Sequence, residues 1–231
     1  MNFLSLFVLI PALMMMGLFV SKSRKQIQFV MATGAILLVI MSATVTYMYL
    51  TERAAGNLAT MLFTADTVWY APFNIHYSVG IDGISVAMLL LSSIIVFTGV
   101  FASWKIDPLP KEFFLWYSLL SIGVYGFFIS VDLFTMFMYY EIALIPMYLL
   151  IGVWGSGKKE YGAMKLTLML MGGSALVFLG LIGLYLASGW YYGHNTWNLI
   201  ELSKMSFPMV VQAPIYLLTF IGFGIFTAMF P

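Results

Sequence analysis

The chain contains no cysteine, and Asp, Glu, Lys and Arg together make up only 8% of its 231 residues. An ordinary soluble domain carries about 25% charged residues. Without cysteine there can be no disulfide, no thiolate metal site and no cysteine-ligated iron–sulfur cluster. Two histidines are too few for a histidine-rich metal centre, and no intraspan histidine pair is present to hold haem. A formal net charge of +1 gives no sign of nucleic-acid binding. A surface this poor in charge would not stay dissolved, which excludes an ordinary globular enzyme.

Apolar residues are what the sequence has. They make up 62% of it, and the mean hydropathy is +1.00. The chain therefore reads as an all-α polytopic membrane protein, a single transmembrane helical domain over 1–231. A bilayer core about 30 Å thick takes about 20 residues of helix. Runs of that kind lie near 2–20, 28–50, 81–103, 113–130, 133–153, 162–187 and 213–231. They are continuously apolar, without the period-two alternation of a barrel strand. The turn around Ser130–Asp132 folds the fourth and fifth spans into an antiparallel hairpin.

Basic residues predict the orientation. Lys22, Arg24, Lys25, Lys105, Lys111, Lys158, Lys159 and Lys165 account for eight of the ten Lys and Arg, all in or beside the odd-numbered connections. Those connections are expected to be cytoplasmic and the N-terminus outside. The first span lacks the basic N-terminal flank of a signal peptide. Trp69, Trp104, Trp154, Trp190 and Trp197 fall at or beyond span ends, and Trp116 lies about one turn inside, as an interfacial aromatic belt predicts. Of the two long exterior connections, 51–80 carries Thr67-Val68-Trp69-Tyr70 and Asn74-Ile75-His76-Tyr77, the pattern of a small β-hairpin. In 188–212, Trp197–Leu202 reads as a short surface helix. The last span starts near Pro214 and barely crosses before Pro231, so the chain is expected to be incomplete at its C-terminus.

Glu141 is the main chemical signal. It falls in the middle third of the fifth span, where a charge costs about 2.5–3.5 kcal/mol on insertion scales. Such an acid faces a partner, a water cavity or an ion path, and burial favours its neutral form. A changing neighbouring charge can then switch its protonation. Pro146 has no amide hydrogen, so the Ile142 carbonyl beside Glu141 loses its helical donor and a kink there can admit water. The plainer alternative is an interhelical hydrogen bond at Glu141 and a packing kink at Pro146; the cost of the charge favours function. Lys165, one turn inside the sixth span, reads by position alone as a snorkelling lysine. Thr167, Gly172, Gly173 and Ser174 permit close packing or water contact, packing being the simpler reading. Asp82 and Asp132 read as helix N-caps. His76 and His194 read as surface residues, and the 18 methionines as packing or lipid-facing ones.

Three segments resemble one family. Gly80-Ile81-Asp82-Gly83-Ile84-Ser85, the run from Tyr140 to Gly155, and Ala163-Met164-Lys165 with Gly173-Ser174 are similar to the third, fifth and sixth helices of the antiporter-like subunits of respiratory complex I. The resemblance is greatest to the subunit M, or chain 4, type of NADH–quinone oxidoreductase, and covers about the N-terminal half of such a subunit. It implies a proton-translocating subunit with no cofactor or metal of its own, in which Glu141 and Lys165 form an intramembrane relay. NADH, FMN, iron–sulfur clusters and quinone would belong to partner subunits. The implied neighbours are L- and N-type antiporter-like subunits, and the implied location is a bacterial cell membrane. The family's seventh helix carries a lysine a few residues before a proline; here Phe226 stands at that place, before Phe230-Pro231. Glu141 would then be held in its neutral form, or take a counter-charge from Lys165 or from residues beyond the chain. A cation–proton antiporter subunit and a truncated, non-conducting scaffold are the alternatives.

Overall fold

A computed structural model describes residues 2–227 and Met229. Seven helices are long and apolar enough to span a membrane, and they fall on the seven predicted runs. The helices are α1 (Leu6–Val20), α2 (Arg24–Ala54), α3 (Gly83–Ala102), α4 (Pro110–Ile129), α5 (Leu133–Trp154), α6 (Lys159–Tyr192), α7 (Leu199–Leu202) and α8 (Met209–Phe226). All but the short α7 are spans, with a 3-10 turn at Phe3–Ser5 extending the first. The protein is an integral membrane protein.

Two helices outrun the bilayer. α2 has 31 residues and α6 has 34, or about 46 and 51 Å of helix against a core of about 30 Å. Their starts carry polar and basic residues that continue the helix into the interface. Ser23 and Gln26 form a reciprocal capping box that fixes the first turn of α2. The last span differs from its sequence reading. α8 begins at Met209, capped by Pro208, and runs through Pro214. A proline inside a helix only deprives the carbonyl four residues back, here that of Val210, on the exposed first turn. The helix ends at Phe226, and Phe230 and Pro231 lie outside the described residues.

The exterior hairpin is present and longer than the sequence pattern. Strands β1 (Leu62–Tyr70) and β2 (Ile75–Ile81) pair antiparallel, with Ala65 opposite Val79 and Thr67 opposite Tyr77. A 3-10 turn at Ala71–Phe73 ends on Asn74 in the left-handed region, where an Asn side chain is tolerated.

Basic residues gather at the opposite end. Arg24 pairs with Asp107 at 3.4 Å, Lys111 Nζ donates to the Phe19 carbonyl at 3.0 Å, and Trp154 Nε1 donates to the Pro108 carbonyl at 2.6 Å. The three odd-numbered connections thus share one face, as the charge pattern requires.

Helices α1–α4 and the hairpin enclose one buried cluster centred on Phe7, Leu38, Leu89 and Tyr125. A second cluster joins α5, α6, α7 and α8 through Leu133, Val177, Leu181 and Leu202. Trp197 belongs to this second cluster and not to the lipid-facing belt. It is 6% exposed, stacks on Tyr185 at 4.2 Å and donates its Nε1–H to the Phe73 carbonyl. A pocket in the exterior loop satisfies both its ring and its donor, which outweighs its interfacial preference.

Candidate functional site

The site begins with the way α5 is held. Asp132 caps the helix, accepting from the Thr135 amide at 2.9 Å with Oδ1 and from the His76 amide at 3.3 Å with Oδ2. Thr135 Oγ1 donates back to the His76 carbonyl at 2.9 Å. The Val131 amide bonds the Ser78 carbonyl and the Leu133 amide bonds the Trp197 carbonyl, each at 2.9 Å. The hairpin, the α4–α5 turn and the α6–α8 connection are thus tied to the first turn of α5. Asp82 caps α3 in the same way through the Ser85 amide at 2.7 Å. Burial pushes the Asp132 carboxyl above its usual range, and the amides of Thr135 and His76 only partly offset this. His76 is not a plain surface residue. Its Nδ1 lies 2.7 Å from Asp66 Oδ2, and Ser78 bonds the other oxygen of Asp66. His194 is exposed, as read, and its Nε2 lies 2.7 Å from Glu201 Oε1.

Packing against α4 then decides where Glu141 points. Gly123 and Gly126 let α5 approach so closely that a Cβ on Gly123 would come within 2.7 Å of the Tyr139 carbonyl, and one on Gly126 would overlap the Tyr139 ring. Tyr139 and Ala143 therefore face α4. Glu141 stands midway between them in sequence, about 200° round the helix from each, so it faces away from α4. It lies about 12 Å from the start of α5 and about 20 Å from its end.

On that outer face Glu141 lines a groove of about 500 Å³ between α5 and α6. Ile142, Ile145 and Tyr148 of α5 and Thr167 and Met171 of α6 are among the other lining residues. Glu141 Oε1 is buried and has no hydrogen-bond partner among the described residues. α5 remains helical through Pro146, leaving the Ile142 carbonyl beside the acid without its amide donor. Two polar side chains enter the same groove: Thr167, which the sequence assigns to packing or water contact, and Tyr148, which the sequence reading missed. The signal for Tyr148 was present: its spacing from Glu141 is two turns of helix, which puts both on one face.

Lys165 is elsewhere. It is exposed, and its Nζ lies 5.9 Å from the centroid of the Tyr161 ring. Thr167, two residues on, lies about 200° round α6, so the lysine is not on the groove wall. Among the described residues neither Glu141 nor Lys165 belongs to an ion pair. The structure does not bring the two sequence-predicted residues into contact.

The other side of the acid's neighbourhood is dry. Tyr140 packs its ring against Phe226 of α8 at a centroid distance of 4.2 Å. Phe226 also closes on Phe223 and Gly173. A void of about 10 Å³ remains there, lined only by apolar and aromatic side chains including Phe137 and Val177. That is at the lower limit for one water. The α5–α6 groove is therefore the side on which Glu141 shares a lining with polar side chains, and no group of three or more His, Cys, Asp or Glu that could hold a metal occurs among the described residues.

Residues 130–231 match the family model described as NADH:quinone oxidoreductase/Mrp antiporter, TM. The chain is 31% identical over 164 residues to an NAD(P)H-quinone oxidoreductase chain 4-2 of Synechocystis, an alignment covering 71% of this chain and 28% of the relative. It is 29% identical over 230 residues to an NAD(P)H-quinone oxidoreductase chain 4 of Synechococcus, covering 99% and 42%. Its fold is shared with a chain of respiratory complex I from Thermus thermophilus with bound NADH, at a TM-score of 0.81 and 19% identity, covering 97% of this chain and 44% of that one. The Mrp complex from Dietzia contains a similar chain, at a TM-score of 0.70 and 13% identity, covering 95% and 23%. The chain thus spans less than half the length of each of these proteins.

Proposed function

The chain belongs to the antiporter-like membrane subunits of the NADH:quinone oxidoreductase and Mrp antiporter family, and on that premise we propose that it is part of a proton-translocating subunit of a respiratory quinone oxidoreductase. The buried, unpartnered carboxyl oxygen of Glu141 carries this reading. An acid held in the middle of a membrane without an internal partner costs several kcal/mol unless it is protonated or hydrated. Such a group binds and releases a proton in response to modest changes around it.

Glu141 is the proton carrier in this account. Lys165 is a separate charge nearer the basic end, about 9 Å into α6. It acts on the carboxyl through the low-dielectric interior rather than by contact. Moving one proton against 100 mV stores about 2.3 kcal/mol. The dry packing at Phe226 is the barrier that keeps this store from leaking through the α8 side.

Redox chemistry belongs to partner subunits in this reading, with NADH, FMN, iron–sulfur clusters and quinone bound outside this chain. The exposed rim of the groove, at Ile145 and Met171, is where a neighbouring membrane subunit would close it. Proton translocation by the assembled complex in vesicles tests the proposal. Glu141→Gln is expected to abolish acidification while the complex still assembles and transfers electrons. Normal acidification in that variant would overturn it. An antiporter reading, favoured by the shared fold with the Mrp complex, predicts instead sodium- or potassium-dependent exchange that needs no NADH.

A further inference from the structure

Three cations at the basic end are held by the protein itself. Arg24 pairs with Asp107 and donates to the Ile106 carbonyl at 2.9 Å. Lys111 Nζ donates to the Phe19 and Ser21 carbonyls at 3.0 and 3.3 Å, covering the end of α1. Lys159 Nζ does the same for the Val153 carbonyl in the last turn of α5, at 2.6 Å. Lys25 differs from these. It is exposed, and it belongs to no ion pair among the described residues. Its neighbour Gln26 accepts with Oε1 from the Lys22 amide at 2.9 Å and the Ser23 amide at 3.2 Å. The planar side-chain amide therefore turns its Nε2 group, a double donor, away from the cap.

Lys25 and Gln26 border a groove of about 440 Å³ between the end of α1 and the start of α2. Below them the groove is apolar. Gly17 lies against Val30, where an added Cβ would come within 3.0 Å of Val30 Cγ1. Val20 and Phe29 flank this floor at 80% and 70% exposure. Val30 is about 8 Å deeper along α2 than Lys25. Among the described residues no acid lines the groove. A second open groove, of about 460 Å³ at the exterior end beside Ser5, Tyr77 and Tyr139, has no charged side chain among its described lining residues.

The order of groups in the α1–α2 groove, cation and amide donor at the interface and apolar surface beneath, complements a lipid with an anionic headgroup. The apolar floor alone selects nothing, because lipid tails are as apolar as the side chains they would displace. Selectivity must come from Lys25 and Gln26. A free anion gains little at one exposed ammonium. A phosphate tethered to a chain that already lies in the groove is held beside Lys25 at high effective concentration.

We propose that the α1–α2 groove is a binding site for one anionic phospholipid, with its phosphate on Lys25 Nζ and Gln26 Nε2 and an acyl chain along Gly17, Val20 and Phe29. The bound lipid braces the α1–α2 corner, to which α4 is joined through Lys111. The site stands apart from Glu141 and does not depend on its role as proton carrier.

The test uses the intact complex in vesicles that contain a trace of phosphatidylglycerol or phosphatidylcholine with a photoreactive acyl chain, and mass spectrometry to find the labelled residues. Phosphatidylglycerol is expected to label Val20 and Phe29 about fivefold more than phosphatidylcholine, which corresponds to the roughly 1 kcal/mol of one cation at an anionic lipid surface. Lys25→Gln should erase the preference and Lys25→Arg should keep it. Salt at about 1 M should erase it in the wild type, because an exposed charge is screened there. An excess of inorganic phosphate should leave it in place. Equal labelling by the two lipids, no labelling by either, or a preference that survives Lys25→Gln would overturn the inference. Displacement by inorganic phosphate, which marks an ion site, or a density map with a neighbouring subunit's side chains in the groove would overturn it as well.

Discussion

The ring of Phe226 packs on the ring of Tyr140 with centroids 4.2 Å apart, one residue away from the buried acid on α5. The resemblance to complex I subunits puts a lysine at that place. The aromatic pair instead joins α5 to α8 by dispersion and excludes water from that side. Removing the ring should therefore be a packing lesion. Phe226→Ala is expected to destabilise the protein by about 2 kcal/mol. That is below the 3–5 kcal/mol typical of a soluble core, because lipid is as apolar as the site. Phe226→Leu should cost about half as much. Thermal unfolding in detergent checks both, and an unchanged midpoint in the alanine variant would show that the contact contributes nothing.

The Asp132 carboxylate ties the hairpin, through the His76 amide, to the first turn of α5, so its loss should be felt at a distance along the chain. Asp132→Ala removes the acceptor for the Thr135 and His76 amides and is expected to cost about 1–3 kcal/mol. Asp132→Asn keeps one acceptor oxygen in place of two and should recover only part of that. Hydrogen exchange at those two amides is the measurement. Faster exchange at both amides in the alanine variant, and at only one of them in the asparagine variant, is the expected result.

The exterior loop carries its own pH dependence. His194, hydrogen-bonded to Glu201, is pushed above its usual 6.5, and Glu201, bonded by Thr196 and His194, is held below its usual 4.5. The raised histidine contributes stability that is complete below about 6.5 and lost as pH rises through its folded value. The lowered glutamate contributes stability that is present above about 4.5 and lost as pH falls through its folded value. Exchange protection over 194–202 should thus be greatest between those limits. His194→Gln should remove the decline on the alkaline side while leaving the acid one.

Much of the architecture was legible because hydropathy alone specifies spanning helices when charge is this scarce. The hairpin also showed in its alternation, and Asp82 and Asp132 in their positions before apolar runs. The arrangement around Glu141 was less so. Which way the acid points depends on Gly123 and Gly126 drawing Tyr139 against α4, a tertiary fact that no period in the fifth span encodes. Lys165 and Thr167 differ by two positions, enough to turn one away from the groove and the other into it. Trp197 read as a belt residue because burial by a distant loop, through the Phe73 carbonyl, leaves no local mark.

The account stands on Glu141 changing protonation during turnover. The direct measurement is infrared difference spectroscopy of the assembled complex, energised against resting, searching for the stretch of a protonated carboxyl group. A band that appears or vanishes between the two states in the wild type, and is missing in Glu141→Gln, is the predicted result. A wild-type spectrum in which no carboxyl band distinguishes the two states, or one that the glutamine variant leaves intact, would contradict it.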